Sequence, residues 1–278
     1  MTQTPFPAHT PPVRPPRPAA PILERLERVI PRKLVESPAA GASHAGSLEM
    51  DLPAVLLQGD RVLARRMLSA LVDAANAVWA ATGRRGAVTF TFDGQALSAE
   101  GGPPHYSCTL SYWMASVHRA LVLRRADAIR SALAFPHELL GSASNAVGDA
   151  YKGELALAMR TLLAGEPSVA GSHLDEAEAL AAPAVATIGG PRRARYARAQ
   201  VAMMRAIGAM DQRGFSAAAW EALDAHRALA GRGRQRSELA GTFALEVTAL
   251  AALAVDRGLA WEIECSYTPA WLVEGGAP

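Results

Sequence analysis

Apolar residues recur every three to four positions over most of the chain from residue 60 onward, the period of helices that bury one face. The clearest stretch opens at Asp60, whose carboxylate suits a helix N-cap, and stops at Gly83. Between them Leu63, Met67, Leu71, Ala75 and Val78 share a face, with Trp79 beside them, and predict a core-facing helix. Further helices are predicted over 109–124, 126–134, 147–164, 169–182, 191–211, 215–230 and 240–257, punctuated by Pro136, Gly165, Pro183, Gly189-Gly190-Pro191 and Gly231–Gly233. Abundant alanine favours helix at almost no side-chain entropy cost and lets neighbouring helices approach closely. The period changes once. Val88, Phe90 and Phe92 alternate with Thr89 and Thr91, and Asp93-Gly94 turns the chain into Gln95–Ala99. A two-residue turn sets Phe90 opposite Leu97 and Val88 opposite Ala99, and the apolar face of so small a hairpin must lie on helices. The expected fold class is mainly α: an array or bundle of helical hairpins with one small β-hairpin.

Upstream the pattern is weaker. Ile22–Ile30 predicts a short amphipathic helix ended by Pro31, and the Gly/Ser/Ala-rich residues 36–46 read as a loop. Prolines at 5, 7, 11, 12, 15, 16, 18 and 21 make residues 1–21 a disordered, solvated tail, leaving 22–278 as a single helical domain. Pro12-Val13-Arg14-Pro15 has the form of a PxxP docking motif, a weak pattern in such a composition. Gly165, Ala170, Leu174, Asp175, Ala179 and Leu180 recur with the same offsets as Gly214, Ala219, Leu223, Asp224, Ala228 and Leu229. That echo suggests stacked helical hairpins of the tetratricopeptide kind.

Composition narrows the function classes. Lys+Arg 28 against Asp+Glu 26 gives a net charge of +2, and Arg14 and Arg17 in the proline-rich start account for the excess, so no field advertises nucleic acid or an anionic membrane. Cys108 and Cys265 are too few for a disulfide scaffold or a four-cysteine zinc site and fit a reducing cytoplasm as small buried hydrophobes. The most apolar run, Phe243–Val255, is shorter than the ~20 residues of a membrane span and carries Glu246. Prolines occupy the place of a signal peptide's apolar core, so the expected compartment is the cytoplasm.

A search for chemistry finds no constellation. The seven histidines (9, 44, 105, 118, 137, 173 and 226) include no H-x-x-x-H or H-E-x-x-H spacing, and no G-x-S-x-G elbow or phosphate-cradling glycine loop is present. Ser172-His173-Leu174-Asp175 holds triad residue types, but neighbours along a helix do not face each other. Asp175, Glu176 and Glu178 form an acidic run near a helix start, where the macrodipole favours it. Arg195, Arg198 and Arg205 share a helix face beside Arg192 and Arg193, and Arg232, Arg234 and Arg236 lie in a Gly-rich loop; with the chain near neutral, both read as solvated or partner-facing surface. Met203, Met204, Ile207 and Met210 read as core. No catalytic residue, metal ligand or cofactor site is expected.

Two stretches carry a resemblance. One runs from Tyr112-Trp113 through the aromatic-opened helix Trp113-Met114-Ala115-Ser116-Val117-His118-Arg119-Ala120, Arg124-Arg125, Ala132-Leu133 and Pro136 to Leu139-Leu140. The other is Leu253–Gly258, Trp261-Glu262-Ile263-Glu264, then Tyr267-Thr268-Pro269-Ala270-Trp271-Leu272. In this order they resemble the immunity protein 49 family of bacterial polymorphic toxin systems, over roughly residues 50–275. The resemblance implies a non-enzymatic, mostly helical protein that binds a cognate protein toxin and neutralises it by occlusion, with no nucleic-acid or membrane partner. Candidate partner-binding residues are the acidic run Asp175, Glu176 and Glu178 and the tail residues Glu262, Glu264, Tyr267 and Trp271, with Tyr267 and Trp271 also expected to close the end of the helical stack. A tetratricopeptide-like adaptor that binds a peptide or protein in a groove is the alternative reading. A helical enzyme would need His118, His137 or His226 to converge with carboxylates in one pocket.

Overall fold

The computed structural model describes residues 4–8, 16–105, 108–140, 150–181, 190–231 and 239–276. The PxxP run at 12–15 and the Arg232, Arg234, Arg236 group lie outside the described residues. Within the stretch read from the sequence as one domain, the contacts form two compact units: one of residues 13–146, and one of residues 147–277 together with 1–12. The opening strand β1 (Thr4–Pro5) belongs to the second of these.

The first unit begins with α1 (Ala19–Glu24), which passes through a π-helical turn at Arg25–Val29 into α2 (Ile30–Glu36). The sequence pattern ends this helix at Pro31; the structure carries it through. Proline removes one helical N–H and crowds the preceding turn, and the wider i→i+5 winding just before it, with Ile30 N–H donating to Arg25 O, accommodates that defect. Residues 36–46, expected as a loop, also turn out helical, as the opening of α3 (Pro38–Leu57). Ser37 caps it by accepting the Ala40 N–H, and Pro38 sits at the first turn, where its missing donor is harmless. The small residues that suggested a loop serve close packing instead. A Cβ placed on Gly41 would lie 2.7 Å from Leu34 Cα in α2, a backbone contact that cannot yield. Gly41→Ala is therefore expected to cost about 2 kcal/mol by forcing α2 and α3 apart. A thermal melt that superimposes on wild type would overturn this account of the packing.

The rest of this unit follows the sequence pattern. Asp60 caps α4 (Arg61–Ala81) by accepting the Leu63 N–H at 3.0 Å, and Leu63, Met67, Leu71, Ala75, Val78 and Trp79 are all buried. Strands β2 (Ala87–Phe92) and β3 (Gln95–Glu100) pair antiparallel with Phe90 opposite Leu97 and Val88 opposite Ala99, and β2 packs on α4. Helices α5 (Leu110–Val122) and α6 (Ala126–Ala134) complete it, with a 3-10 turn at His137–Leu139.

A polar hub pins the hairpin tip. Asp73, buried in α4, accepts the Asp93 backbone N–H at 3.0 Å and the Arg125 guanidinium at 3.1 Å, while Arg66 donates to the Asp93 carboxylate. Burial pushes the Asp73 carboxyl up, and the Arg125 guanidinium, donating to both oxygens of Asp127, holds that carboxyl down at about 2. A depressed folded value means that Asp127 contributes stability above its unfolded value near ~3.9 and that the contribution is lost as pH falls through about 2. A carboxyl-detected NMR titration should place its midpoint near 2; a midpoint near 4 would show that the pair is not formed in solution.

The second unit stacks antiparallel helical hairpins: α7 (Tyr151–Leu163) with α8 (Pro167–Leu180), and α9 (Gly190–Ala209) with α10 (Gln212–Ala230), α9 packing on α8. A 3-10 turn at Leu239–Thr242 leads to the buried α11 (Leu245–Asp256), then β4 (Ile263–Glu264) and α12 (Ala270–Val273). Phe215, Leu223, Met203, Met204, Ile207 and Tyr267 fill the core. Met210, expected there too, is instead 50% exposed, because the chain leaves α9 at this residue in a left-handed conformation (φ +54°). Five helices, drawn from both units, end in the same way: the residue at the end donates to the carbonyl three back, and the next to the carbonyl five back. Gly59, Gly165 and Gly258 take the left-handed position in three such ends, Arg124 and Met210 in two others.

Where it is described, the proline-rich opening is mostly exposed but is held at two points. Thr4–Pro5 pairs in parallel with Ile263–Glu264, and Phe6 is 7% exposed. Thr4 and Phe6 supply the strand N–H groups, so Pro5 falls at the alternate position where no donor is needed. Arg17 donates to Asp51 at 3.1 Å, and α1 starts at Ala19. The described residues are thus largely solvated, with one aromatic and one cation anchored on the folded chain.

Candidate partner interface

The acidic run on α8 is exposed, but it is not a bare negative patch. Asp175 and Glu178, one helical turn apart, both accept from the single guanidinium of Arg205 on α9, at 2.7 and 3.0 Å. Glu176, between them, points to a different side of the helix and is exposed. The same ladder continues across α9 to α10. Arg195 donates to both oxygens of Glu221 and to Asp224 at 2.8 Å, and Arg227 adds a second bond to Asp224. The two echoed aspartates, Asp175 and Asp224, thus each bind an arginine of α9. This pairing explains why a stripe of arginines coexists with a near-neutral chain: Arg195 and Arg205 are matched by carboxylates, and Arg198 is half-buried. Each exposed pair is worth only ~0–1 kcal/mol, so the ladder defines a charge pattern more than it adds stability.

The triad-like run on α8 diverges as helical geometry requires. His173 Nδ1 lies 2.7 Å from Glu154 Oε2 on α7, whereas Asp175 turns to Arg205. His226 on α10 bonds the Gly241 carbonyl at 3.0 Å and sets its ring edge-on to Tyr267. His118 and His137 belong to the other unit. Among the described residues, no group of three or more His, Cys, Asp or Glu side chains could hold a metal ion.

The tail residues divide by role. Tyr267 is 1% exposed, and its carbonyl accepts the Ala244 N–H that leads into α11, so it closes this end of the helices. Glu262 is half-buried and accepts the Ser216 hydroxyl at 2.8 Å. The Gln212 carboxamide takes the place of a strand beside it, accepting from Ala260 N at 2.7 Å and donating to Ala260 O at 3.1 Å. Glu264 is exposed, and Trp271 is half-buried. The two predicted groups sit on different elements: the acidic run pairs with α9, and the tail clasps α10.

Sequence reasoning missed Phe6, Trp220 and Arg227, which meet at β4. The Phe6 ring lies edge-on to Trp220 at 4.8 Å, with the Arg227 guanidinium 5.4 Å from its centroid. Phe6 is the one aromatic in residues 1–21, and that was the available signal.

The sequence profile of the family described as immunity protein 49 matches residues 88–272, more than half of the chain. The chain belongs to the immunity protein 49 family. The match opens within the β-hairpin and closes within α12, so it takes in Trp113, the helical hairpins and the Tyr267–Leu272 tail. Immunity protein 49 is by its description an immunity protein, a class that is generally non-enzymatic and acts on a toxin partner. No curated protein and no solved structure matches the chain. Among the described residues, no helix of this immunity protein 49 member is long and apolar enough to cross a membrane.

Proposed function

We propose that this chain is a non-enzymatic cytoplasmic immunity protein, residues 22–278 acting as one module, that binds the cognate toxin of a bacterial polymorphic toxin system and neutralises it by covering its active site. The family match over residues 88–272 carries this reading. The charge pattern supports a particular kind of interface. A strongly basic toxin would call for an unmatched acidic surface, whereas Asp175 and Glu178 already share Arg205. A partner of mixed charge that fits the α8–α10 ladder suits it better, because complementary patches set orientation and suppress wrong partners. Within the candidate set, the exposed Glu176 and Glu264 and the accessible edge of Trp271 are the contacts proposed for the toxin, with Asp175, Glu178, Glu262 and Tyr267 holding the surface in shape.

The test is growth of cells expressing the toxic C-terminal domain encoded beside this gene, with and without this chain. Rescue together with co-purification is expected, and the charge reversal Glu176→Lys should weaken co-purification without changing the melting temperature. Killing that persists despite stable co-expression would overturn the pairing. The stacked hairpins α7–α10 favour a second reading, an adaptor that binds an extended peptide, and capture of a non-toxic partner with no rescue would favour it.

A further inference from the structure

We propose that the edge of β4, together with the aromatic surface of α10, is a docking groove for an extended, aromatic-bearing segment of the partner protein, and that residues 4–7 hold it shut. The inference deepens the immunity reading and rests on the chain acting by binding a protein.

The groove is built entirely from the second unit. The carbonyls of Glu262 and Glu264 form one wall and accept the N–H groups of Thr4 and Phe6 at 2.7 and 2.8 Å. That wall is fixed from behind by the Gln212 bracket on Ala260 and by Ser216 on Glu262. Trp220 and Arg227, two turns apart on one face of α10, form the other wall, with Tyr267 at the base. Arg227 serves twice: its charge lies over the Phe6 ring, and its Nη1 donates to the Pro7 carbonyl at 3.0 Å. The occupant is therefore recognised by an extended backbone, an aromatic ring and a following carbonyl, the grammar of strand addition with one anchoring side chain.

The occupant now present is slight. Only two residues pair on each strand, and Trp220 stays 38% exposed with Phe6 seated, so a longer segment has unfilled aromatic surface to cover. So short a contact persists because it is made within one chain, where covalent attachment raises the effective concentration of the segment. A partner segment making the same contacts and covering Trp220 would displace it.

The test uses the full chain and a fluorescein-labelled peptide of residues 1–8, read by anisotropy, so it needs no toxin and can fail while the immunity reading stands. Phe6→Ala weakens the internal occupant, and this variant should bind the peptide saturably and at least tenfold more tightly than wild type, whose groove is filled. A peptide carrying the same Phe6→Ala change should bind the variant at least tenfold more weakly. Should that variant not fold, Thr4→Pro, which deletes the N–H given to Glu262, is expected to open the groove in the same way. Equal binding to wild type and opened chain, or indifference to the peptide's aromatic ring, would overturn the proposal.

Discussion

Replacing Trp113 by alanine should lower the stability of its unit by about 3–5 kcal/mol, read as a shift of the urea midpoint at unchanged slope. Trp113 is fully buried in α5, and its indole N–H donates to the Ala132 carbonyl at 2.9 Å, in the last turn of α6. The residue thus does two things. It fills the space between helices, and it gives a second donor to a carbonyl that the end of a short helix leaves with only a long 3.3 Å bond from the Phe135 N–H. Trp113→Phe separates them: the ring is largely kept and the bond lost, for an expected cost of about 1–2 kcal/mol. If both substitutions cost the same, the hydrogen bond and not the volume holds α5 to α6. If neither moves the midpoint, the tryptophan that opens this helix is not a packing residue.

Tyr267→Ala is expected to cost a similar ~3–5 kcal/mol and thereby to answer what the tail is for. At 1% exposure the ring has almost no surface to offer a partner, and it packs edge-on to His226 and beneath Phe6. Its backbone receives the first N–H before α11, so losing the side chain loosens the joint between the tail and the last long helix. Urea unfolding of the variant beside its toxin co-purification distinguishes two roles. A large loss of stability assigns Tyr267 to closing the helices; normal stability with lost co-purification would assign it to direct contact.

Much of this fold was legible because the apolar period reports it directly. Asp60, the Val88–Phe92 alternation and the Asp93-Gly94 turn each specify local geometry without help from distant residues, and the structure places all three as expected. The misreadings share a cause. Residues 36–46 and Pro31 carry local loop signals, yet close packing of Gly41 on Leu34 and a π-turn before the proline override them. Neither device leaves a mark in composition. The candidate interface was legible only as residue types. That Asp175 and Glu178 are shared by Arg205, 27 residues beyond Glu178, depends on how α8 and α9 stack. Likewise the docking of Phe6 at β4 joins opposite ends of the chain, and no local pattern encodes it.

The five like-built helix ends have a practical side for anyone wishing to engineer this protein. Arg124 and Met210 hold left-handed backbone positions that glycine fills at the equivalent places after α3, α7 and α11. An L side chain in that conformation is held at a cost of about 1 kcal/mol, which the surrounding hydrogen bonds offset. Met210 is half-exposed and takes no part in the core, so its side chain gives little in return. These two sites are where a more heat-tolerant version can be sought, since neither belongs to the arginine–carboxylate ladder of α8–α10 or to the groove at β4.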